Sequence, residues 1–151
     1  MPSMTQSRIP FAGQRIIEPM IALARCSQLQ RIIVTGARSA ELMFELHRHG
    51  YIHVAATPNY GIAARQYDAA FVDWRQRTVE TIEATLDWLA DFLAPVGVLV
   101  IWLDPQQPAA SRRLHYVLQR RGFLVEAGTV HGHGCAISAR RREMNPRCKV
   151  A

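Results

Sequence analysis

The chain has 151 residues and a mass of 17.0 kDa, with 49% hydrophobic and 20% charged residues. That length suits a single domain, and the apolar content excludes a disordered chain. A domain of this size buries about 68–70% of its extended-chain surface, so it needs no disulfide or metal staple.

The net charge is +6, with a sequence pI near 9.9. Residues 140–151 carry Arg140, Arg141, Arg142, Arg147 and Lys149 against Glu143 alone. Four of the six net charges therefore lie at the C-terminus, and the rest of the chain is nearly balanced. Such a stretch reads first as a solvated tail, and nucleic-acid contact through it is the weaker reading. Cys26, Cys135 and Cys148 are odd in number and form no CxxC pair, which points to a reducing, cytoplasmic setting. No secretory signal is expected in Met1–Gln14. The apolar stretch Phe92–Leu103 contains Pro95 and Gly97 and falls short of the ~20 residues a bilayer span takes.

In chain order, residues 1–15 read as an irregular lead. Ile17, Met20, Ile21 and Leu23 recur at helical spacing, which predicts a short helix over 16–26 with Glu18 and Pro19 in its first turn. Arg31–Thr35 is a continuous β-branched run, the pattern of a buried parallel strand, and Gly36 ends it. Ser39 is placed as the N-cap of a helix carrying Leu42, Met43 and Leu46 inward, with His47, Arg48 and His49 in its last turn and Gly50 as its stop. Tyr51–Ala56 is a second strand, followed by the turn cluster Thr57-Pro58-Asn59-Tyr60-Gly61.

Tyr67–Asp73 is a third strand with an acid near each end. From Thr78, the residues Val79, Ile82, Leu86, Leu89 and Leu93 form one apolar stripe of a long amphipathic helix that Pro95 is expected to stop. Val96–Leu103 is a buried strand, Ala109–Arg121 a helix, and Phe123–Val130 with Cys135–Arg140 a hairpin around His131-Gly132-His133-Gly134. Strands alternating with helices predict a three-layer α/β/α sandwich. Its sheet is expected to be mostly parallel, with about six strands and a C-terminal antiparallel hairpin. The domain is placed at 16–140 and the basic tail at 141–151.

This order resembles the class I S-adenosylmethionine-dependent methyltransferases. Gly36-Ala37-Arg38-Ser39-Ala40-Glu41-Leu42 lies where that family has a GxGxG-E-L loop after the first strand. Leu93-Ala94-Pro95-Val96-Gly97-Val98-Leu99-Val100-Ile101 is similar to its L-x-P-G-G-x-L-V-I segment, and Arg121-Gly122-Phe123 to the G-F that opens its penultimate strand. The resemblance covers about residues 31–140 and implies a Rossmann-like sheet with a cofactor at its carboxyl rim.

It also marks departures. Arg38 and Ala40 stand where loop glycines are expected, and Val34 where the family has an acid. The second strand ends Ala55-Ala56-Thr57, with no carboxylate for ribose hydroxyls, and ten residues (58–67) replace a helix–strand unit. The chain thus reads as a shortened relative with a reduced cofactor loop. Whether it catalyses methyl transfer is left open by the sequence.

The resemblance implies that Thr35, Gly36, Ala37, Arg38, Ser39, Thr57, Asn59, Asp73 and Trp74 form the cofactor site. Asp73 is the one catalytic candidate, facing the substrate. S-adenosylmethionine is the implied cofactor, although Arg38 beside a helix N-terminus suits an anion such as a phosphate. Against this stand an ordinary strand-to-helix turn, Asp73 paired with Arg75 or Arg77, and Trp74 covering the core edge. Asp104 is a weaker acid candidate. Val-Thr-Gly-Ala-Arg-Ser is also similar to the opening of short-chain dehydrogenases, but no Tyr-x-x-x-Lys accompanies it. His131, His133 and Cys135 alternate in a way that suits zinc, but no fourth ligand is evident, so no metal is expected. His47, His49 and His53 read as a helix end and a strand surface.

Two partner classes remain: a small-molecule ligand at the 35–39 loop, or a protein bound by a non-catalytic interaction module. A homodimer across the sheet edge left by the missing unit is compatible with either.

Overall fold

The computed structural model describes residues 12–56 and 66–142. Four helices and six strands follow one another in the predicted order. They are α1 (Ala12–Ala24), β1 (Ile32–Gly36), α2 (Ser39–Arg48), β2 (Val54–Ala56), β3 (Tyr67–Asp73), α3 (Ile82–Phe92), β4 (Leu93–Leu103), α4 (Pro108–Arg120), β5 (Phe123–His131) and β6 (Gly134–Arg141). A single 3-10 turn, Val79–Thr81, leads into α3. The strands form one sheet in the order β2-β1-β3-β4-β6-β5. The first four are parallel, and β6 returns antiparallel to β4 and β5. The six-stranded sandwich with its terminal hairpin is the architecture expected from the pattern.

Both faces of the central strands β1, β3 and β4 are covered, which explains why these strands read as continuous apolar runs. Ile32, Val34, Phe71, Val100 and Trp102 face α1 and α2, where Ile16, Ile17, Met20, Leu42 and Leu46 meet them. Ile33, Val72, Leu99, Ile101 and Ile137 face α3 and α4, packing on Ile82, Leu86, Leu89, Leu114 and Leu118. On the surface of that second layer, Arg121 reaches Glu83 and Asp87 across the gap between the helices.

Several boundaries differ from expectation, each for a local reason. Helix α1 starts at Ala12, so Pro19 lies inside it rather than in its first turn, at the loss of one backbone hydrogen bond. Ser39 does not cap α2: Arg38 takes the N-cap position, and Ser39 is the first helical residue. Helix α3 ends at Phe92, before Pro95. Pro95 instead sits in an irregularity of β4, where the ladder to β3 jumps from Leu93 to Val98 and a missing N–H costs little. Strand β6 holds Arg140 as expected and runs on through Arg141, one residue into the stretch placed as the tail. Arg140 pairs with Glu126, and the Arg141 guanidinium donates to the carbonyls of Ala90 and Leu93. Thr57, Asn59 and residues 143–151 of the basic tail lie outside the described residues. Among the described residues no helix is long and apolar enough to cross a membrane.

Phe71 is fully buried at the centre of β3, whereas Val130 is 88% exposed on β5. Phe71→Ala should cost about 3–5 kcal/mol in urea denaturation. Val130→Ala should stay within about 0.5 kcal/mol.

Candidate functional site

The order of the strands fixes where a site can form. From β1 the sheet grows to β2 on one side and to β3 on the other, so a crevice opens beyond the carboxyl ends of β1 and β3. Those ends lie side by side, with Gly36 opposite Asp73.

Gly36 has φ +111°, and a side chain there would run into the backbone of Asp73. The glycine is thus required by a neighbouring strand as well as by the turn. The Ala37 N–H donates to the Asp73 carbonyl (2.7 Å), which ties the first turn of the crevice to the end of β3. Helix α2 then begins, and no side chain caps it. Its first N–H groups face the crevice end of the sheet with a partial positive charge. Arg38 is exposed beside them, 3.7 Å from the exposed Glu41 carboxylate, a contact of little energetic weight. Thr35 and Ser39 are half-buried and Ala37 is exposed.

Asp73 is fully buried, and both its carboxylate oxygens are engaged. Oδ1 accepts from the Arg75 Nε (2.8 Å) and from the Arg75 N–H (3.2 Å), while Oδ2 accepts from Arg75 Nη2. This fork–fork pair leaves the Arg75 side chain 16% exposed at the rim. Arg75 is held above its ordinary pKa chiefly by the hydrogen bonds to Asp73. Burial opposes this, and the charges of Asp73, Glu41 and Asp104 add to it. A carboxylate bound in this way cannot take a proton from a substrate without breaking the pair.

Trp74 turns into the core rather than out of it. Its Nε1 donates to the Thr78 carbonyl (2.7 Å), and the Arg77 guanidinium lies 5.0 Å from its ring centroid. Gln76 sits at φ +64°, in the left-handed region that costs a non-glycine residue energy. Its N–H donates to Asp104 Oδ2 (2.6 Å), so Asp104 holds this turn in shape. Thr35, Gly36, Ala37, Arg38, Ser39, Asp73 and Trp74 therefore share one rim. Arg75 and Gln76 join them, although the sequence reading treated Arg75 only as a possible partner of Asp73. The Asp-x-Arg spacing at a strand end was the available signal.

The histidines fall into separate places. His131 and His133 both lie against the Trp102 ring, with centroids 5.4 and 5.1 Å away. Cys135 packs on the other face of the sheet, because the turn at Gly132-His133 interrupts the alternation. Among the described residues no group of three His, Cys, Asp or Glu could hold a metal ion. His47 and His49 bond the carbonyls of Tyr51 and Glu45 at the end of α2. Burial pushes the Cys26 and Cys135 thiols up, the opposite of what a nucleophile requires.

Solved structures share this fold. The ribosomal protein L11 methylase of Lactobacillus delbrueckii subsp. bulgaricus superposes with a TM-score of 0.64 at 11% identity, over 87% of this chain and 79% of that one. The fold is that of the class I S-adenosylmethionine-dependent methyltransferases. The 1,6-didemethyltoxoflavin-N1-methyltransferase of Burkholderia thailandensis, solved with S-adenosylhomocysteine, matches at TM-score 0.59 and 12% identity, over 87% and 79% of the two chains. The [4+2]-cyclase SpnF matches at 0.61 and 11%, over 86% and 81%. No protein-family model matches the sequence, and no curated protein matches it.

The Asp73–Arg75 pair and Gly36 should both support the folded state. Asp73→Asn takes the counter-charge from the half-buried Arg75 guanidinium and should lower stability by about 1.5–3 kcal/mol. Gly36→Ala should cost on the order of 1–3 kcal/mol from the left-handed backbone alone. Chemical denaturation of the two variants reads both effects.

Proposed function

We propose that this domain binds a nucleotide-type small molecule at the carboxyl rim of β1 and β3, and that S-adenosylmethionine or S-adenosylhomocysteine is the first candidate. One observation carries the reading. The uncapped N-terminus of α2, with Arg38 at its N-cap, stands at the point where the strand order reverses. An S-adenosyl ligand carries a carboxylate on its amino-acid end. The free N–H groups of α2 and the Arg38 guanidinium suit that carboxylate, and Thr35, Ala37 and Ser39 border the same space. Arg75, fixed by Asp73, adds a second positioned cation. Asp73 enters as the residue that orients Arg75.

The fit is incomplete at the ribose. Strand β2 ends in Val54-Ala55-Ala56, with no carboxylate for the two hydroxyls. Binding through the anionic end is therefore the stronger part of the reading, and a phosphorylated nucleotide satisfies the same groups. The structural likeness to the methyltransferase bound to S-adenosylhomocysteine supports the location of the ligand. The likeness to a [4+2]-cyclase separates that location from any one reaction.

A second reading, a non-catalytic interaction module, rests on β5. It is an edge strand of nine residues with Leu124 and Val130 exposed.

Calorimetric titration separates these readings. S-adenosylhomocysteine or ATP should bind saturably, and Arg38→Ala should weaken binding about tenfold, the loss of one charge-assisted contact. Absence of binding by both ligands, or unchanged affinity in the variant, would retire the rim as a ligand site and favour the interaction module.

A further inference from the structure

The opposite end of the sheet holds a second concavity. Arg31, Ile52, His53, Val54, Ala55 and Tyr67 line a cavity of about 270 Å³. They stand at the amino ends of β1, β2 and β3, so the length of the strands separates this cavity from the rim described above. Strand β2 has three residues and is the last strand of the sheet on that side among the described residues.

Its polar side holds Arg31 and His53, and no carboxylate among the described residues lines it. Arg31 makes no ion pair among the described residues. Its Nη1 donates to Gln66 Oε1 (2.8 Å), and Asp68 takes the Arg31 backbone N–H (2.9 Å) rather than the guanidinium. Arg38, Arg48, Arg75, Arg113 and Arg140, by contrast, each stand against a carboxylate. Among the described residues the buried Tyr67 hydroxyl has no hydrogen-bond partner.

The other side is apolar. Ile52 is 60% exposed and Val54 is half-buried, while Ala55 packs on the opposite face of the sheet. A convergent cation beside an exposed apolar wall is the arrangement that recognises an amphipathic anion. The guanidinium fork matches a carboxylate, and an apolar body on Ile52 removes that side chain from water.

We infer that the cavity at the amino ends of β1, β2 and β3 binds a small organic carboxylate, its anion on Arg31 and its apolar body on Ile52 and Val54. The site is independent of the carboxyl rim and of any cofactor bound there.

Benzoate is the probe, titrated calorimetrically into the full chain, with inorganic phosphate as the second arm. Benzoate should bind saturably, and Arg31→Gln should weaken it about tenfold or more. Arg38→Ala should leave it unchanged. Arg31 is exposed, so Arg31→Gln should keep the melting temperature of the parent, which confirms a folded variant. Three results would overturn the inference. They are no saturable benzoate binding at millimolar concentration, equal binding by Arg31→Gln, and loss of binding in Arg38→Ala, which would place the anion at the other rim. Phosphate binding as tightly as benzoate in Arg38→Ala, where the other rim has lost its cation, would also overturn it, because the apolar wall would then contribute nothing.

Discussion

The junction between the ends of β1 and β3 sets the geometry on which the rest depends. Gly36 and Asp73 are register partners, and the Asp73 carbonyl occupies the space where a Gly36 side chain would stand. From that contact the chain must turn at once into α2, which puts a helix N-terminus at the reversal of strand order. The same aspartate holds Arg75 with its side chain. One residue thus shapes the floor of the crevice with its backbone and one of its cations with its carboxylate. Both partners are largely removed from water, so the pair is strongly coupled and its loss leaves an unbalanced charge.

The arrangement shows how a domain can keep a fold while changing the chemistry at its rim. A Rossmann-like sheet offers a helix N-terminus at this point whatever residues follow. Here Arg38 stands where the resemblance implies a second loop glycine, and the rim gains a charge where close backbone approach to a ligand is expected. The carboxylate expected for ribose is absent from the end of β2. The balance shifts from close backbone packing around a nucleoside towards recognition of a negative group. At the other end of the sheet, beside the three-residue strand β2, lies a cavity lined by Arg31, which makes no ion pair among the described residues.

Much of the fold was legible in the sequence because it rests on period and composition. Arg31–Thr35 and Val96–Leu103 are continuous apolar runs because both of their faces are covered, and Val79, Ile82, Leu86 and Leu89 follow one helical stripe. Ends were less legible. Pro19 signals a first turn by local preference, yet Ile16, Ile17 and Met20 pack on the sheet and carry α1 through it. The site was legible as a place but not as a set of contacts. Gly36 and Arg38 stood out by their position after the first strand. The engagement of Asp73 by Arg75 was one of two open alternatives, because a two-residue spacing at a strand end does not fix which way either side chain turns. The Arg31 cavity gave no signal at all, since it gathers residues from three strand ends that are distant in sequence.

The central claim is that the carboxyl rim of β1 and β3 is a ligand site. The most direct test is amide-resolved NMR of the full chain titrated with S-adenosylhomocysteine. The account predicts saturable shifts centred on Thr35–Ser39 and Asp73–Arg75, with residues around Arg31 and Tyr67 unmoved. Shifts confined to any other surface, or none at saturating ligand, would contradict it.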